Sequence, residues 1–483
     1  MTVVLIVLAV VLLTVVVVFA RTFAFKPPAS PPKVPPYDPG EAAPEVLERL
    51  SKAIAIPTVS AQNYADTNFA PFDEFITFLQ KSYPLFHKTT ELTRINTYAL
   101  VFRWKGTDPS LEPVMLTAHY DVVPVEAGTE GDWKYPAFSG EVAEGRVWGR
   151  GALDIKSQLT AHLEAAESLM KTGFVPTHDL YFVYGQDEEV GGVNGAAKAA
   201  EYFAEKGIRF QGVLDEGGIV VSNAIKGVKS SLALIGLGEK GFCNYKLTFD
   251  SEGGHSSMPL PHTALGNAAK LLTIIEEHPL PTRLTPPVLL MIRNIAGEMG
   301  FAVRMAAANL WLFRPVLLKI LSKNPSTNAL IRTTFAVTMA KASDAPNVLP
   351  QKAEAVVNVR LLSGDTTDSV AAHFRHIGGG LPFKLEKLTP TEPSAISPAS
   401  GAVYEKLAKT IAEIYPNALA SPYLVMGGTD SRKYYGVCDN IYRFTPVLVN
   451  NDEKNTMHGT NESISIANYG RMIRFFVRFI EMV

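Results

Sequence analysis

The sequence predicts an α/β protein with a second, α+β unit inserted into it, and three observations carry that prediction. Strand and helix patterns alternate from about Glu41 to Leu237, which argues for a mostly parallel sheet with helices on both faces. Between about Gly238 and Pro390 the order becomes β-α-β-β-α-β, the split βαβ arrangement. The first pattern then resumes with helices over Ala402 to Ile414 and Ile464 to Ile480. A chain of 483 residues is long for one domain, and its 47% hydrophobic and 19% charged residues describe a globular protein with a sizeable core.

The elements follow in order. Val3 to Ala20 is an uninterrupted apolar run, followed by Arg21 and Lys26. Its length could just span a bilayer. It also reads as a signal-peptide core, with Val-Phe-Ala ending at Ala20 as a small-residue cleavage site. Residues 1–25 are therefore expected to direct the chain into the secretory pathway, by cleavage and secretion or, as the alternative, as an anchor through residues 3–20. Residues 26–40 (KPPASPPKVPPYDPG) form a proline-rich, semi-rigid spacer. Helices are expected over Pro44–Ala55, Phe72–Ser82, Gln158–Thr172 and Asn194–Lys206, and strands over Ala99–Trp104, Val114–Val123 and Leu180–Gly185. These elements and the closing helices make up a catalytic unit, 41–237 and 391–483.

In the inserted unit, 238–390, strands are expected over Phe242–Asp250, Thr333–Ala342, Ala353–Leu362 and Pro382–Leu388. Helices are expected over His262–His278 and Thr366–Ile377. An extra apolar helical segment, 284–332, sits in its middle. Gly236 to Gly241 (GLGEKG) matches G-x-G-x-x-G, but a strand follows, so the phosphate-cradling context is absent. It reads as a hinge between the two units.

Several function classes are disfavoured. Net charge is −2 and no basic stripe stands out, which argues against nucleic acid as partner. Cys243 and Cys438 lack partners at zinc-finger spacing and are expected as buried free thiols. There is no G-x-S-x-G elbow and no G-x-x-x-x-G-K-[ST] loop. The sequon Asn461-Glu462-Ser463 suits a secretory protein but is expected to be unused, because a glycan there would crowd His458.

His119, Asp154, Glu189, Asp215 and His458 each read as lying just past a short apolar run, at a strand end. In open α/β sheets the carboxyl ends of strands converge on the ligand crevice, and imidazoles with carboxylates suit zinc. Taken singly, each is as well read as a turn acid or a surface histidine. His119 and Asp121, two apart in a strand, face the same way, so Asp121 can support the imidazole. Glu188 and Glu189 point apart: one can bind metal while the other takes a proton from water. The two oxygens of Asp154 can bridge two cations.

The segments TAHYDVVP, GRGALDIK, DEEVGG, LDEGG, GGHSSMP, GGTDSR and MHGTNE together resemble the co-catalytic zinc family that includes aminoacylase, carboxypeptidase G and vacuolar carboxypeptidase S. Asn309 to Phe313 and Asn328 to Thr334 are similar to its branch of secreted N-fatty-acyl-amino-acid synthase/hydrolases. The resemblance implies a mixed-sheet zinc-peptidase catalytic domain with an inserted ferredoxin-like (βαββαβ) lid. It implies two Zn2+ ions, with His119 and Glu189 on different ions, Asp154 bridging, and Asp215 and His458 completing the sites. Glu188 would be the general base, Asp121 would support His119, and His255 would stabilise the oxyanion. Arg432, with Asn347 and Arg360, would hold the substrate carboxylate, a geometry arginine suits. Ile155 stands where the branch usually has Asp; the peptide after Asp154 is usually cis in the family.

The implied activity is hydrolysis, and reverse condensation, of the amide bond of N-acyl, above all N-fatty-acyl, amino acids. The alternative is a carboxypeptidase S-like metallopeptidase acting on small peptides; a non-catalytic acyl carrier is a third. Leu284 to Phe313 is the hint of a fatty-acyl substrate, against plain helix packing or a membrane-surface contact. Further expected partners are a lipid or lipoprotein surface and a second copy paired through the lid.

Overall fold

The computed structural model describes residues 1–26, 42–223, 225, 227–450 and 456–483. Apart from Lys26, the proline-rich spacer lies outside the described residues.

The chain is a mixed α/β protein built on a ten-stranded sheet. Its order runs Glu91–Ile95, Ala99–Trp104, Leu180–Gly185, Val114–His119, Gly212–Asp215, Ile441–Arg443, Ser231–Glu239, Val220–Val221, Leu448–Val449, with Ala418–Val425 also paired to Ser231–Glu239. The strands that matter most lie side by side and parallel: Val114–His119 between Leu180–Gly185 and Gly212–Asp215. All three are buried throughout, as befits parallel strands covered on both faces. Period-two alternation divides their side chains between two cores. Leu116 and Phe182 pack with the helices Lys156–Lys171 and Ile466–Met482. Met115, Tyr181 and Val183 pack on the other face with Ala199, Phe203 and Tyr434.

A separate four-stranded antiparallel sheet has the order Thr334–Lys341, Lys352–Leu361, Gly241–Asp250, Lys384–Thr391. With the helices Ala264–Glu277 and Thr367–Gly378, its chain order is β-α-β-β-α-β. Buried and half-buried residues alternate along Gly241–Asp250. The inward set, Tyr245, Leu247 and Phe249, meets Leu271 and Phe374 in a core of its own.

Two expectations are corrected, on the glycine hinge and on the strand ends of Asp154 and His458, and the segment 284–332 reaches further than expected. Gly236 and Gly238 lie within the strand Ser231–Glu239 and do not form a hinge. A Cβ on Gly236 would sit 2.5 Å from Val425 Cγ2, and one on Gly241 would sit 2.7 Å from the Pro393 nitrogen; these glycines allow close approach of neighbouring chain. The segment 284–332 forms the helices Pro286–Ala296, Phe301–Ala308, Leu310–Leu321 and Pro325–Ile331. The first of them packs on the strand Ala418–Val425, and Asn294 Nδ2 donates to the Ala420 carbonyl at 3.2 Å, while Val288 and Ile331 also meet Leu362, so the segment touches both units. Asp154 and His458 do not follow main-sheet strands: they lie in loops beside the small sheet of Val142–Ala143, Arg146–Trp148 and Ser463–Ser465. Both cysteines are buried and free.

Candidate metal centre and active site

Three neighbouring parallel strands end on the same edge of the sheet, and their ends carry His119, the Glu188–Val190 turn and the Asp215-Glu216 pair. Two loops close over this edge. The Asp154 carboxylate stands between two imidazoles, its Oδ1 3.1 Å from His119 Nε2 and its Oδ2 2.9 Å from His458 Nε2. Glu216 Oε1 lies 3.2 Å from His119 Nε2, and Glu189 Oε2 lies 3.3 Å from His458 Nε2. The result is two groups that share Asp154: His119, Asp154 and Glu216, and Asp154, Glu189 and His458.

This corrects one assignment. Glu216, not Asp215, completes the His119 group. Asp215 faces back into the fold, where Oδ1 accepts the Glu216 N–H at 2.8 Å and Oδ2 accepts the Ser431 N–H at 2.9 Å. Its carboxylate is spent on holding the turn that presents Glu216.

The supporting atoms fix each group. His119 Nδ1 is 2.9 Å from the Asp121 backbone carbonyl and 3.3 Å from Asp121 Oδ1. The closer carbonyl accepts from Nδ1–H, so Nε2 is the nitrogen that faces the carboxylates. The Asp121 carboxylate is buried and accepts the Glu188 and Glu189 N–H groups, each at 3.1 Å, and the Ser60 hydroxyl at 2.7 Å. One residue therefore orients the imidazole through its backbone and the glutamate turn through its side chain.

Sequence reasoning missed Glu462. Its buried Oε1 accepts the N–H groups of Gly151, Leu153 and Asp154 at 3.1, 2.8 and 3.1 Å, and Oε2 pairs with Arg150 Nη1 at 2.6 Å. Arg150 Nη2 in turn donates to the His458 carbonyl at 3.2 Å. The two loops bearing Asp154 and His458 are thus tied together by one ion pair. The Asp154–Ile155 peptide is cis. Asp430, buried beside Gly185 and Gly192, was also missed; its Oδ2 has no hydrogen-bond partner among the described residues. The only sequence signal for either was position, inside MHGTNE and GGTDSR.

Electrostatics test whether these residues fit a cation. Burial, with Asp154 nearby, pushes Glu216 up to about 8. Burial also raises Glu189, and raises Glu188 well above the usual carboxylate range, with Glu216 and Asp430 adding to it. Asp154 and Glu189 push His458 up to about 10. Burial opposes charge on His119, but Glu216, Asp121 and Asp154 more than reverse it. Glu189 Oε1 is buried with no hydrogen-bond partner among the described residues. Glutamates whose proton affinity burial raises, a carboxylate oxygen without a partner among the described residues and imidazole Nε2 atoms facing Asp154 make a donor set that divalent cations satisfy.

The expected substrate-binding residues Arg432, Asn347 and Arg360, and the expected oxyanion residue His255, separate into two places. Arg432 is largely buried; Nη2 donates to the Glu392 carbonyl at 2.7 Å and Nη1 is 3.8 Å from Glu239 Oε2. Arg360 lies over the Phe242 ring, 4.7 Å from its centroid, and burial together with the Arg432 charge lowers its pKa. His255 and Asn347 lie instead on an exposed ribbon of the four-stranded unit, where the Ser256 N–H donates to the Asn347 carbonyl at 3.1 Å. His255 Nδ1 is held by Ser257 Oγ at 2.7 Å. No described contact joins His255 or Asn347 to the carboxylate cluster.

Comparison with known proteins agrees with this geometry. Residues 115–482 match peptidase family M20/M25/M40. A probable carboxypeptidase S-like 2 of Dictyostelium discoideum is 34% identical over 442 residues, covering 90% of this chain and 85% of that protein. The N-fatty-acyl-amino acid synthase/hydrolase PM20D1 of Bos taurus is 34% identical over 440 residues, covering 90% and 87%. The crystal structure of the M20 family metallo-carboxypeptidase Sso-CP2 from Sulfolobus solfataricus shares the fold, with a TM-score of 0.67, 18% identity, and coverage of 91% of this chain and 99% of that one. A sheet edge that gathers two imidazoles and a shared carboxylate, on a chain alike over nine-tenths of its length to such proteins, identifies a hydrolytic enzyme of peptidase family M20.

Proposed function

We propose that the chain hydrolyses the amide bond of N-acyl amino acids, with N-fatty-acyl amino acids as the preferred class, and condenses the same partners when their concentrations favour it. The observation that carries the reading is Asp154 shared between two imidazole-carboxylate groups, with the half-buried Glu188, which belongs to neither group, beside them. The similarity to PM20D1 supports the acyl-amino-acid substrate.

His119, Asp154 and Glu216 would hold one divalent ion, and Asp154, Glu189 and His458 a second; the mixed nitrogen and oxygen donors suit zinc. When bound, such ions supply Lewis-acid polarisation and a more acidic water. The residues do the rest. Asp121 fixes the peptide units of Glu188 and Glu189 through their N–H groups, so that the two carboxylates diverge. Glu188 takes the proton from the attacking water and returns it to the leaving nitrogen. Arg432, and Arg360, which has no carboxylate paired to it among the described residues, would receive the substrate's free α-carboxylate. His255 stays outside this mechanism.

A second reading, release of C-terminal residues from small peptides, uses the same groups and is supported by the carboxypeptidase S-like relative. Purified protein loaded with zinc is assayed on N-oleoyl-phenylalanine and on a blocked dipeptide. Faster turnover of the acyl amino acid is expected; faster turnover of the dipeptide would replace the first reading with the second.

A further inference from the structure

We propose that the N-terminal helix is retained and that, with the bent pair Phe301–Ala308 and Leu310–Leu321, it forms one lipid-seated unit: the helix crosses a bilayer, and the pair lies in the leaflet at its end among anionic phospholipids.

The helix Thr2–Ala24 has 23 residues and a mean hydropathy of 3.5 over its most apolar window, which is only 6% buried. The two shorter helices are apolar enough together to span, but are bent by 117°. They leave Trp311, Val316 and Ile320 more than half exposed. Soluble surfaces rarely leave so continuous an apolar patch open to water. The patch runs into the N-terminal helix, because the Phe301 ring lies 6.0 Å from both Phe19 and Phe23.

A polar tie joins the two parts. Asn309 is fully buried, and its Nδ2 donates to the Val18 carbonyl and to Thr22 Oγ1, both at 3.1 Å. Side-chain amides join helices in this way where no water competes. Cleavage after Ala20 would put Val18 and Thr22 on different molecules and break the pair of contacts that Asn309 makes.

Charge supplies the lipid preference. No Asp or Glu occurs between Glu298 and Asp344, while Arg304, Arg314, Lys319, Lys323, Arg332 and Lys341 do. Arg21, Lys26 and Arg293 meet Leu289, Leu310 and Trp311 around a cavity of about 520 Å³ where the N-terminal helix ends. Cations over an apolar floor, with a tryptophan at the rim, suit an anionic headgroup and its first methylenes. None of this depends on the amidohydrolase reading.

The test uses the full chain, expressed through a secretory host and reconstituted in phosphatidylcholine vesicles with and without phosphatidylserine. Intact mass should show residues 2–24 retained; a mature chain beginning at Arg21 would overturn the proposal. Doxyl-labelled lipids should quench about half or more of the Trp311 emission, assigned by difference from Trp311→Phe; Trp104 and Trp133 are buried in the body. Arg293→Glu should reduce quenching in phosphatidylserine vesicles only. Unquenched Trp311, or protection of Trp311 by a second copy in lipid-free solution, would refute the lipid seat. Thermal unfolding equal to wild type confirms that each variant is folded.

Discussion

Replacing Glu462 by Gln probes the joint between the two metal-bearing loops. In the native chain the carboxylate serves four donors: three backbone N–H groups on Oε1, and Arg150 on Oε2. Gln keeps the shape and one acceptor oxygen but turns an amide NH2 toward Arg150, which is 2% exposed. Breaking a buried ion pair from one side costs about 3–5 kcal/mol. The lower end applies here, because burial already opposes the charge on Glu462, pushing it up to about 7. The damage falls on the loops of Asp154 and His458, so metal affinity should drop 10- to 100-fold, as for other outer supports of metal ligands; the larger figure equals about 2.7 kcal/mol and fits inside that loss. The assay is metal content after dialysis against a series of chelator-buffered zinc concentrations, beside thermal unfolding of the same samples. A Glu462→Gln protein with wild-type zinc affinity and a wild-type midpoint would show that the ion pair is not what holds the loops in place.

Three other outcomes are expected. Glu188→Gln should lower kcat roughly 10²- to 10⁴-fold with zinc content unchanged; unchanged hydrolysis would remove Glu188 as the base. Glu216→Gln should cost one of two bound ions, while Asp215→Asn should keep both with a smaller loss of affinity, and the reverse order in a metal count would restore Asp215 as the ligand. In metal-free protein Glu216 moves from its ordinary 4.5 to about 8 and His458 from 6.5 to about 10 on folding. Both bind protons more tightly when folded, so their stabilisation is complete at low pH and is lost between pH 4.5 and 8 for Glu216 and between 6.5 and 10 for His458. Chelator-treated protein should therefore unfold at a lower temperature at pH 9 than at pH 6. Zinc affinity should rise over the same range, as the ions displace those protons; a flat profile in both measurements would contradict the crowding of acids seen here.

Much of the fold was legible because burial imposes its period on the sequence. Ala99–Trp104 and Leu180–Gly185 match the observed strands end to end, and Pro44–Ala55 and Ala402–Ile414 match the helices. What escaped was backbone whose partners lie far away in sequence. Gly236 to Gly241 looked like a glycine hinge because the strand that crowds Gly236, Ala418–Val425, is remote in the chain. The helical segment 284–332 fell inside the boundaries of the inserted unit, yet the strand it covers belongs to the other.

The site was legible by type and ambiguous by one residue, and the ambiguity has a physical cause. Asp215 and Glu216 are adjacent acids, so strand alternation sends one inward and the other outward. Which one meets His119 is decided by the donors that wait for the first. Ser431 arrives from a turn over two hundred residues later and takes Asp215 Oδ2. Gly217, at a φ of +132°, turns the chain behind Glu216. The same logic governs Glu188 and Glu189, whose N–H groups both end on Asp121, so that only Glu189 reaches His458. In each pair one acid meets an imidazole while its neighbour keeps another task, and the choice rests with a hydrogen bond to a distant residue. Removing that distant partner, as in Asp121→Asn, should therefore disturb the glutamate pair more than it weakens His119, whose own support is the backbone carbonyl of residue 121, which the substitution leaves in place.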